Sequence, residues 1–486
     1  MSQLLTADPL GVITLGIDAF AESARRGGAE VVAVDWRPPG NGDPRLAQLL
    51  AAMIGDAGDP AGIGSRIDRA NRIAIARVLA ARPMLVDVAL HAREIWPEMG
   101  RTLWHAGPPI AWQEMCGPMR GSAVGAVLYE GWARTPEAAF RLLESGAVEL
   151  APCHHHGAVG PMSGIISPSM PLFVVRNEDH GNLAYTNFNE GIGKVLRFGA
   201  NDASVIRRLK WIEKVLAPAL KLGLARIEGG VALKSIQAQA LLMGDEVHSR
   251  NTAATLLFLK AIATPLIASG LARRHAEESL RFIADTPQFF LNLSMVSSKA
   301  AMDAGHGVAE SSMVTAIARN GVNVGIRVSA LDARWFEAPA ELPAGLFFPG
   351  YRQEDANPDL GDSAIAETAG FGGFAFAASP ALVQLVGGTP AMATAYSNAM
   401  YGITLARNPS LALPALDFAG APVGIDIRKV LDSGVRPVVT TGIAHKTAGI
   451  GQIGAGVVRV PLGCFTAAAY ALAARLGIEG GGAAIP

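Results

Sequence analysis

Three consecutive histidines form the densest group of side chains in this sequence that could transfer protons. His154, His155 and His156 lie in the segment PCHHHGAVGP. Side chains alternate between the two faces of a strand, so we expect His154 and His156 on one face and His155 on the other. An imidazole titrates near neutral pH, so His154 or His156 could act as a general acid or base or contact phosphate. Metal ligation and structural hydrogen bonding are the alternatives. The spacing shows no third metal ligand.

A run of amides and charges follows in NFNEGIGKVLRFG, at Asn187, Asn189, Glu190, Lys194 and Arg197. A helix that begins near Glu190 would place Lys194 and Arg197 on the same face as Glu190. That face could bind an anion, because the asparagine amides would contact a carbonyl group and the two cations would bind phosphate. We therefore count Asn189 and Glu190 with the histidines as candidate catalytic residues. A solvated Glu–Lys pair is the alternative.

Arg250 belongs to a polar interruption, MGDEVHSRN, in an otherwise apolar helical block. Polar groups between apolar segments cost free energy unless they are paired or used in function. Arg250 is therefore a candidate anion ligand. The alternative is a surface turn between two helices.

Arg319 is another candidate anion ligand. It precedes Asn320 and Gly321, and the pattern predicts that it ends a helix with Gly321 as the C-terminal cap. Capping alone would explain Asn320 and Gly321.

The segment EDANPDLGDS concentrates carboxylates that could bind a divalent cation. An EF-hand loop that begins at Asp355 would need glycine where Leu360 stands and a carboxylate where Ala366 stands, so that match fails. We expect no cofactor. A magnesium site of a different construction is the alternative.

A glycine string with the spacing GxGxxG, at Gly449, Gly451 and Gly454, follows the strand-like run PVVTTGIA. It lies far from the N-terminal segment that would make it a dinucleotide fingerprint. Together with Thr441, His445 and Lys446 it better fits a backbone cradle for an oxyanion or phosphate. These three residues join Lys194, Arg197, Arg250 and Arg319 as predicted substrate or phosphate ligands.

The elements around these residues predict an α/β protein of several parts. Residues 1–40 read as a βαβ unit, and strand-like runs at 83–90 and 123–131 alternate with helical patterns. Such alternation favours a parallel, doubly wound sheet. We divide the chain into a Rossmann-like α/β domain (1–148), an α+β segment with the histidine and asparagine motif (149–201), a helical domain (202–285) and a C-terminal α+β domain (286–486).

Composition limits the kind of partner. The formal charge is −1, which leaves no basic footprint for nucleic acid. Half of the residues are hydrophobic, only 17% are charged, and the mean hydropathy is +0.29, so we expect a homo-oligomer or a subunit covered by a partner. The apolar stretch 253–272 contains Lys260 and Pro265 and fits a core helix better than a membrane span. Three cysteines without a CxxC pair and no secretory signal pattern suit a cytoplasmic protein.

Seven segments together resemble the YlbE/YahG-like family, which includes the AllG-like oxamate carbamoyltransferase subunit. They are VDWRPPG, PCHHHGAVGPMSGIISPSMP, NFNEGIGKVLRFGAN, MGDEVHSRNTAAT, RNGVNVGIRVS, FPGYRQEDANPDLGDSAIAET and TGIAHKTAGIGQIGAG, and the similarity runs from about residue 31 to residue 456. The resemblance implies a Rossmann-like N-terminal domain, a small helical domain and α+β domains. It also implies a subunit that exchanges oxalurate plus phosphate for oxamate plus carbamoyl phosphate in allantoin breakdown, together with an FdrA-like partner.

The resemblance implies no particular catalytic residues. The sequence lacks the SxRT and HPxQ strings of ordinary carbamoyltransferases, so carbamoyl transfer here needs a different site. The chemistry assigns phosphate to Lys194, Arg197 and Lys446, and the role of base to His154 or His156. The alternatives are a non-catalytic binding or scaffold subunit of an FdrA-associated complex and a metal-assisted amidohydrolase.

Overall fold

The structure is a computed structural model that describes residues 11–15, 18–34, 38–56 and 58–480. Within these ranges helices and strands alternate along most of the chain. The α-helices are α1 (Asp18–Arg26), α2 (Pro44–Ile54), α3 (Ile63–Ala80), α4 (Gly117–Tyr129), α5 (Pro136–Glu144), α6 (Ala203–Trp211), α7 (Ala217–Leu224), α8 (Leu233–Leu242), α9 (Thr252–Ile267), α10 (Arg273–Ala284), α11 (Phe290–Ala304), α12 (Ile365–Thr368), α13 (Val383–Val386), α14 (Pro390–Tyr401), α15 (Ile427–Ser433) and α16 (Leu462–Leu476).

The strands of the same ranges form several small sheets. They are β1 (Gly11–Leu15), β2 (Glu30–Val34), β3 (Pro83–Ala89), β4 (Thr102–His105), β5 (Glu149–Pro152), β6 (Ala158–Val159), β7 (Leu172–Asn177), β8 (Leu183–Thr186), β9 (Val231–Ala232), β10 (Val314–Asn320), β11 (Asn323–Val328), β12 (Phe336–Pro339), β13 (Ala344–Phe347), β14 (Leu360–Gly361), β15 (Thr404–Leu413), β16 (Ala419–Ile425), β17 (Val438–Ala444) and β18 (Gln452–Arg459).

Helix starts follow the capping preferences that the sequence carries. The side chain of Asp43 accepts the N–H groups of Arg45 and Leu46 at the start of α2. Asp202 caps α6 and Thr389 caps α14 in the same way. Each cap satisfies backbone donors that the first turn of a helix leaves free.

The largest sheet is mixed, with the order β6-β8-β7-β3-β9. β3 runs antiparallel to both β7 and β9, whereas β6 and β8 are parallel. Helix α11 packs against this sheet, and its residue Phe290 shares the largest core with Phe173, Phe258 and Phe289. The fold is therefore mixed α/β, with an antiparallel arrangement where a doubly wound parallel sheet was predicted.

The predicted N-terminal βαβ unit is present, since β1 and β2 pair in parallel with α1 between them. These two strands form a sheet of their own. The strand β3 instead shares its sheet with β6, β7, β8 and β9, so that this sheet draws on three of the four segments into which the sequence was divided. The Rossmann-like layout and the domain boundaries thus stay predictions.

The predicted strand at 123–131 is wrong, because this segment lies in α4. The helix is buried on nearly every side, so its apolar run lacks the polar face that marks a surface helix. Two of its glycines explain the close packing. A side chain at Gly121 would collide with the carbonyl oxygen of Gly199, and one at Gly125 would collide with Leu196.

The described C-terminal part combines three antiparallel sheets with helices. Their strand orders are β12-β11-β10-β14, β13-β18-β17 and β15-β16. The predicted helix that ends at Arg319 is wrong, since Arg319 lies in β10 and Asn320 begins the turn to β11 by accepting the N–H groups of Val322 and Asn323. Asparagine side chains commonly accept backbone N–H groups in turns. The pair Asn320 and Gly321 is therefore a turn signal, which the sequence analysis interpreted as the end of a helix.

Residue Asn71 of α3 ties distant parts of the chain together. Its side-chain oxygen accepts hydrogen bonds from Ser311 Oγ (2.8 Å) and Ser312 N (2.9 Å). Its amide nitrogen donates to Ser312 Oγ (2.9 Å) and to Asp426 (3.2 Å). All of these side chains are buried, so the amide is satisfied by partners from two other segments of the chain.

Two further predictions concern membranes and cysteines. The helices of the described ranges include none that is long and apolar enough to cross a membrane. Residues 253–272 fall largely in α9, whose residues Phe258, Ile262 and Leu266 are buried. Cys116, Cys153 and Cys464 are free.

Candidate active site of two adjoining parts

A pocket of about 550 Å³ lies between two loops that are far apart in sequence. One loop runs from β8 to a 3₁₀ helix at Leu196–Phe198, and the other is the turn between β17 and β18. We call this the loop pocket, and it is lined by Gly191, Ile192, Gly193, Lys194, Arg197, Phe198, Thr286, Pro287, Gln288, Phe348, Ile450, Gly451 and Gln452. The structure thus brings Lys194, Arg197 and the glycine string to one place.

The first loop contains two left-handed glycines, a feature of anion-binding nests, and we call residues 191–194 the nest. Gly191 and Gly193 have φ angles of 82° and 89°, which favour glycine. The guanidinium group of Arg208 donates to the carbonyl oxygens of residues 190, 192 and 194 at 3.2, 2.9 and 3.4 Å. The backbone N–H groups of residues 192–194 have no hydrogen-bond partner among the described residues. Alternating left-handed residues turn successive N–H groups toward a common point, where an anion can bind.

The predicted helix that starts at Glu190 is wrong, and the side chain of Glu190 supports the loop instead. Its carboxylate accepts the backbone N–H groups of Leu196 and, at 3.0 Å, Arg197. Burial raises the pKa of Glu190, and the charge of Arg197 opposes that shift. Asn189 accepts the N–H of Gly191 (3.0 Å) and donates to the carbonyl of Gln288 (2.8 Å). These contacts fit residues that position the loop.

The two cations of the loop pocket differ in how firmly they are held. Arg197 donates to Asn189 Oδ1 (3.3 Å) and to the Gly191 carbonyl (3.1 Å), and burial lowers its pKa. The Lys194 side chain is 69% exposed, and its Nζ lies 3.7 Å from Asp202. Arg197 is therefore part of the wall, whereas Lys194 has the freedom to reach a ligand.

The three histidines lie on a 3₁₀ helix, Cys153–His156, and the predicted strand alternation is wrong. Three residues per turn point each ring in a different direction. His154 is buried, the exposed His155 accepts a hydrogen bond from Trp335 Nε1 (3.0 Å), and His156 stacks on Trp104 with ring centroids 4.0 Å apart. Burial lowers the pKa of all three imidazoles.

His154 faces Asp362, with 3.6 Å between Nε2 and Oδ1. Neither ring nitrogen of His154 has a hydrogen-bond partner in the part of the chain that is described. Asp362 accepts the backbone N–H groups of Gly107 (2.8 Å) and Gly160 (3.0 Å), and burial raises its pKa to about 7. Sequence reasoning noted Asp362 only as a possible magnesium ligand.

Three more charged residues surround this pair. The charges of Lys299 and Arg327 lower the pKa of His154, and Lys299 also acts on Asp362. Lys299 binds Asp303 at 2.7 Å. We call His154, Lys299, Asp303, Arg327 and Asp362 the His154 cluster. The i, i+4 spacing of Lys299 and Asp303 on α11 was visible in the sequence, but their partners were not.

A short backbone segment joins the two parts of the site. The N–H of Gly160 binds Asp362 of the His154 cluster, and the N–H of Ser163 donates to the carbonyl of Arg197 at 3.2 Å. The loop pocket and the His154 cluster are therefore neighbours across residues 160–163.

Two predicted anion ligands already have an anion within the protein. Arg319 binds Asp359 through Nε (2.7 Å) and Nη2 (3.2 Å), and both side chains are buried. Thr441 donates to the same carboxylate at 2.9 Å. Because Asp359 occupies both residues, these contacts fit a structural role better than the predicted substrate contact.

Arg250 lies in the connection between α8 and α9. Its Nε is 3.2 Å from Asp245, and Glu246 accepts its backbone N–H at 3.1 Å. It is near the loop pocket only through its neighbour Ser249, whose carbonyl accepts a hydrogen bond from Gln288 (3.0 Å). The structure therefore does not place Arg250 in the pocket wall.

His445 and Lys446 stand beside the glycine string rather than in the loop pocket. Lys446 Nζ donates to the carbonyl of Glu354 (2.6 Å), and His445 Nδ1 accepts the N–H of Thr447 (2.8 Å). Gly449 and Gly451 lie in the turn of a β-hairpin in which His445 N donates to Gly451 O (3.0 Å), and Gly454 lies in β18. The glycine string thus contributes a turn to the pocket. It leads into β18 and not into the helix that a dinucleotide-binding fingerprint requires.

The carboxylates of EDANPDLGDS do not converge. Asp359 binds Arg319 and Asp362 binds backbone, while Asp355 accepts the N–H of Arg352 (3.1 Å). In the described ranges no group of three or more histidine, cysteine, aspartate or glutamate side chains is arranged to hold a metal ion.

Comparisons with known proteins identify the family. The family model described as "Oxamate carbamoyltransferase subunit AllG" matches residues 148–363. A protein of that name from Escherichia coli (strain K12) is 51% identical over 415 residues, which is 85% of this chain and 99% of the relative. "Uncharacterized protein YahG" from the same organism is 44% identical over 479 residues, 98% of this chain and 100% of the relative.

A solved structure agrees with these sequences. The crystal structure of a conserved protein of unknown function from Enterococcus faecalis V583 is 45% identical, with a TM-score of 0.82, and covers 84% of this chain and 98% of its own. The resemblance found in the sequence is confirmed. The chain belongs to the AllG family, together with YahG.

Proposed function

We propose that this chain is a subunit of an oxamate carbamoyltransferase-like enzyme. The reaction would exchange oxalurate plus phosphate for oxamate plus carbamoyl phosphate, moving a carbamoyl group between phosphate and a small amide or amine. The observation that carries the proposal is the loop pocket, where the N–H groups of residues 192–194, which have no partner in the described ranges, lie beside Lys194 and Arg197. The name of the 51% identical relative supports it.

The chemistry of the pocket suits the phosphate end of carbamoyl phosphate. A phosphoryl group needs cations and N–H donors, and charge-assisted hydrogen bonds from both are roughly twice as strong as neutral ones. The volume of about 550 Å³ falls within the range of small-molecule sites. The nest and the two cations would therefore hold the phosphate.

The His154 cluster would supply the base for the acceptor nitrogen. A neutral imidazole can accept a proton, and burial lowers the pKa of His154, so that this form prevails at neutral pH. His156 is less suited to this role, because its ring is stacked on Trp104. Asp362 lies 3.6 Å from His154 and would stabilise the imidazolium formed.

The word "subunit" in the name of the relative favours a complex with other chains. We propose an FdrA-like partner, association of several copies of this chain, and a cytoplasmic location in keeping with the three free cysteines. The reaction scheme invokes no cofactor bound to this chain. The same word also supports a second candidate, a non-catalytic binding subunit whose site is completed by its partner.

Thermal unfolding with and without phosphate or carbamoyl phosphate tests the anion site. A ligand at about 100 times its Kd stabilises the folded state by roughly 2.7 kcal/mol, which raises the midpoint measurably. We expect this shift for the wild type and a clear reduction in Lys194→Ala. The control is Lys214→Ala, which removes an exposed lysine outside the pocket lining. Equal shifts in both variants would contradict the assignment of Lys194.

A further inference from the structure

The His154 cluster contains more hydrogen-bond donors than the described residues satisfy. The Lys299 side chain is only 2% exposed, and within the described residues its ammonium group has one acceptor, Asp303, at 2.7 Å. An ammonium group has three donors. Two of them therefore lack a protein acceptor in a place that water reaches poorly.

Arg327 adds to this excess. Its Nη2 contacts His306 Nε2 (3.2 Å) and the carbonyl of Asp332 (3.4 Å), but its buried Nε is without a partner in the described ranges. The same holds for both ring nitrogens of His154, one of which carries a proton in the neutral form. Donors from three side chains are thus left over.

The acceptors of the cluster do not balance these donors. Both oxygens of Asp362 already accept backbone N–H groups, from Gly107 and Gly160. Asp303 is engaged by Lys299. A buried donor without a partner destabilises the folded state, so native proteins seldom retain several in one place without a ligand or water.

The charges indicate what kind of ligand would restore the balance. Lys299 and Arg327 carry two positive charges, Asp303 carries one negative charge, and Asp362 is partly protonated at neutral pH because its pKa is about 7. At most one negative charge is missing. A monoanionic carboxylate supplies that charge and two acceptor oxygens, whereas a phosphate dianion would bring an excess of negative charge into a buried site.

We propose that the His154 cluster binds the carboxylate of a small acid, with Lys299, Arg327 and His154 as donors. The inference rests on the proposed function, and it assigns the carboxylate of an oxamate-like substrate to a place separate from the phosphate in the loop pocket. Trp335 lies over the site. The centroid of its ring is 5.3 Å from that of the His154 ring and 5.9 Å from the guanidinium carbon of Arg327. The exposed His155 binds Trp335 on the outer side, so the cluster lies one side chain below the surface.

Calorimetric titration of the full chain with oxamate, and separately with inorganic phosphate, tests the inference. Removal of a charged partner from a buried ligand weakens binding by roughly thirtyfold or more. We expect Lys299→Met to weaken oxamate binding by this factor and to leave phosphate binding intact. Lys194→Ala should do the reverse. Retained phosphate binding also shows that the Lys299 variant is folded.

Arg327→Gln serves as a second variant if Lys299→Met does not unfold cooperatively. Unchanged oxamate affinity in the folded variants, or mutual competition between oxamate and phosphate in the wild type, would overturn the inference. So would the absence of oxamate binding to a wild-type chain that binds phosphate. Loss of phosphate binding alone, with oxamate still bound through Lys299, would count against the loop pocket and not against this site.

Discussion

The loop pocket and the His154 cluster both gather positive charge, but they differ in their contact with water. Lys194 of the loop pocket is largely exposed, and its ion pair with Asp202 is 3.7 Å long. Lys299 of the His154 cluster is buried and binds Asp303 at 2.7 Å. Exposed ion pairs contribute about 0–1 kcal/mol, whereas breaking a buried pair costs about 3–5 kcal/mol. The difference suggests that mutations in the pocket alter binding, while mutations around the cluster also alter stability.

The largest expected effect tests whether burial governs the cost of a lost charge. Arg319→Met leaves Asp359 buried without its cation, so we expect a loss of about 3–5 kcal/mol in unfolding free energy. Urea denaturation measures this change. The control is Arg352→Met, which breaks an exposed pair with Glu354 and should cost less than about 0.5 kcal/mol. Similar losses in both variants would refute the comparison.

The next effect is a pH dependence that belongs to the buried part alone. Burial raises the pKa of Asp362 from 3.8 to about 7, so the folded state keeps a proton that the unfolded state releases. The stabilisation is fully present below pH 3.8 and is lost as the pH rises through 7. We expect the difference in unfolding free energy between wild type and Asp362→Asn to change by about 3 kcal/mol from pH 5 to pH 8.

Denaturation curves at several pH values measure this difference, and they also separate Asp362 from other titrating groups. Lys299 and His154 have lowered pKa values and act in the opposite direction, but they are common to both proteins. The exposed Asp432 provides the matched control, since Asp432→Asn should leave the profile unchanged. Parallel profiles for wild type and Asp362→Asn would show that Asp362 is ionised as in water.

The smallest effect concerns the backbone of the loop pocket. Gly193 and Gly181 have φ angles of 89° and 81°, and neither has an atom within 4 Å of an added Cβ. Each change to alanine should therefore cost about 1 kcal/mol of stability, which thermal unfolding measures. Only Gly193→Ala should also weaken phosphate binding, because Gly181 lies in the turn between β7 and β8. Equal phosphate affinity in the two variants would contradict the nest.

Local patterns in the sequence predicted the elements with strong periodicity. The N-terminal βαβ unit, the strand at 83–90 and the helices between 202 and 285 are all present. The helical region also contains the short strand β9, between α7 and α8. The helix α4 was missed because both a buried helix and a buried strand give a continuous apolar run. Gly121 and Gly125 stand four residues apart, which places them on one face of a helix. That spacing was the signal in the sequence for a helix packed closely against its neighbours.

The site was predicted in pieces and not as an arrangement. Lys194, Arg197 and the glycine string were predicted to bind an anion, but only the fold shows that Lys194, Arg197 and Gly451 line one pocket. The helix predicted from Glu190 is wrong, because its carboxylate accepts the N–H groups of Leu196 and Arg197 in a loop. The catalytic role of Glu190 stays a prediction. The sequence did not show that Arg319 pairs with Asp359, because the two residues lie 40 positions apart. Its role as a substrate ligand stays a prediction.

The buried amide of Asn71 has a consequence for the order of events during synthesis. Its last partner, Asp426, follows it by 355 residues. At about 5–20 residues per second, the ribosome needs roughly 20 to 70 seconds to add that length. More than half of the chain must therefore be synthesised before the Asn71 side chain of α3 has all of its partners. During that interval we expect the face of α3 that is buried in the folded protein to be accessible to chaperones and prone to misassembly. Chains truncated before Asp426 should therefore be degraded by proteases faster than the full chain.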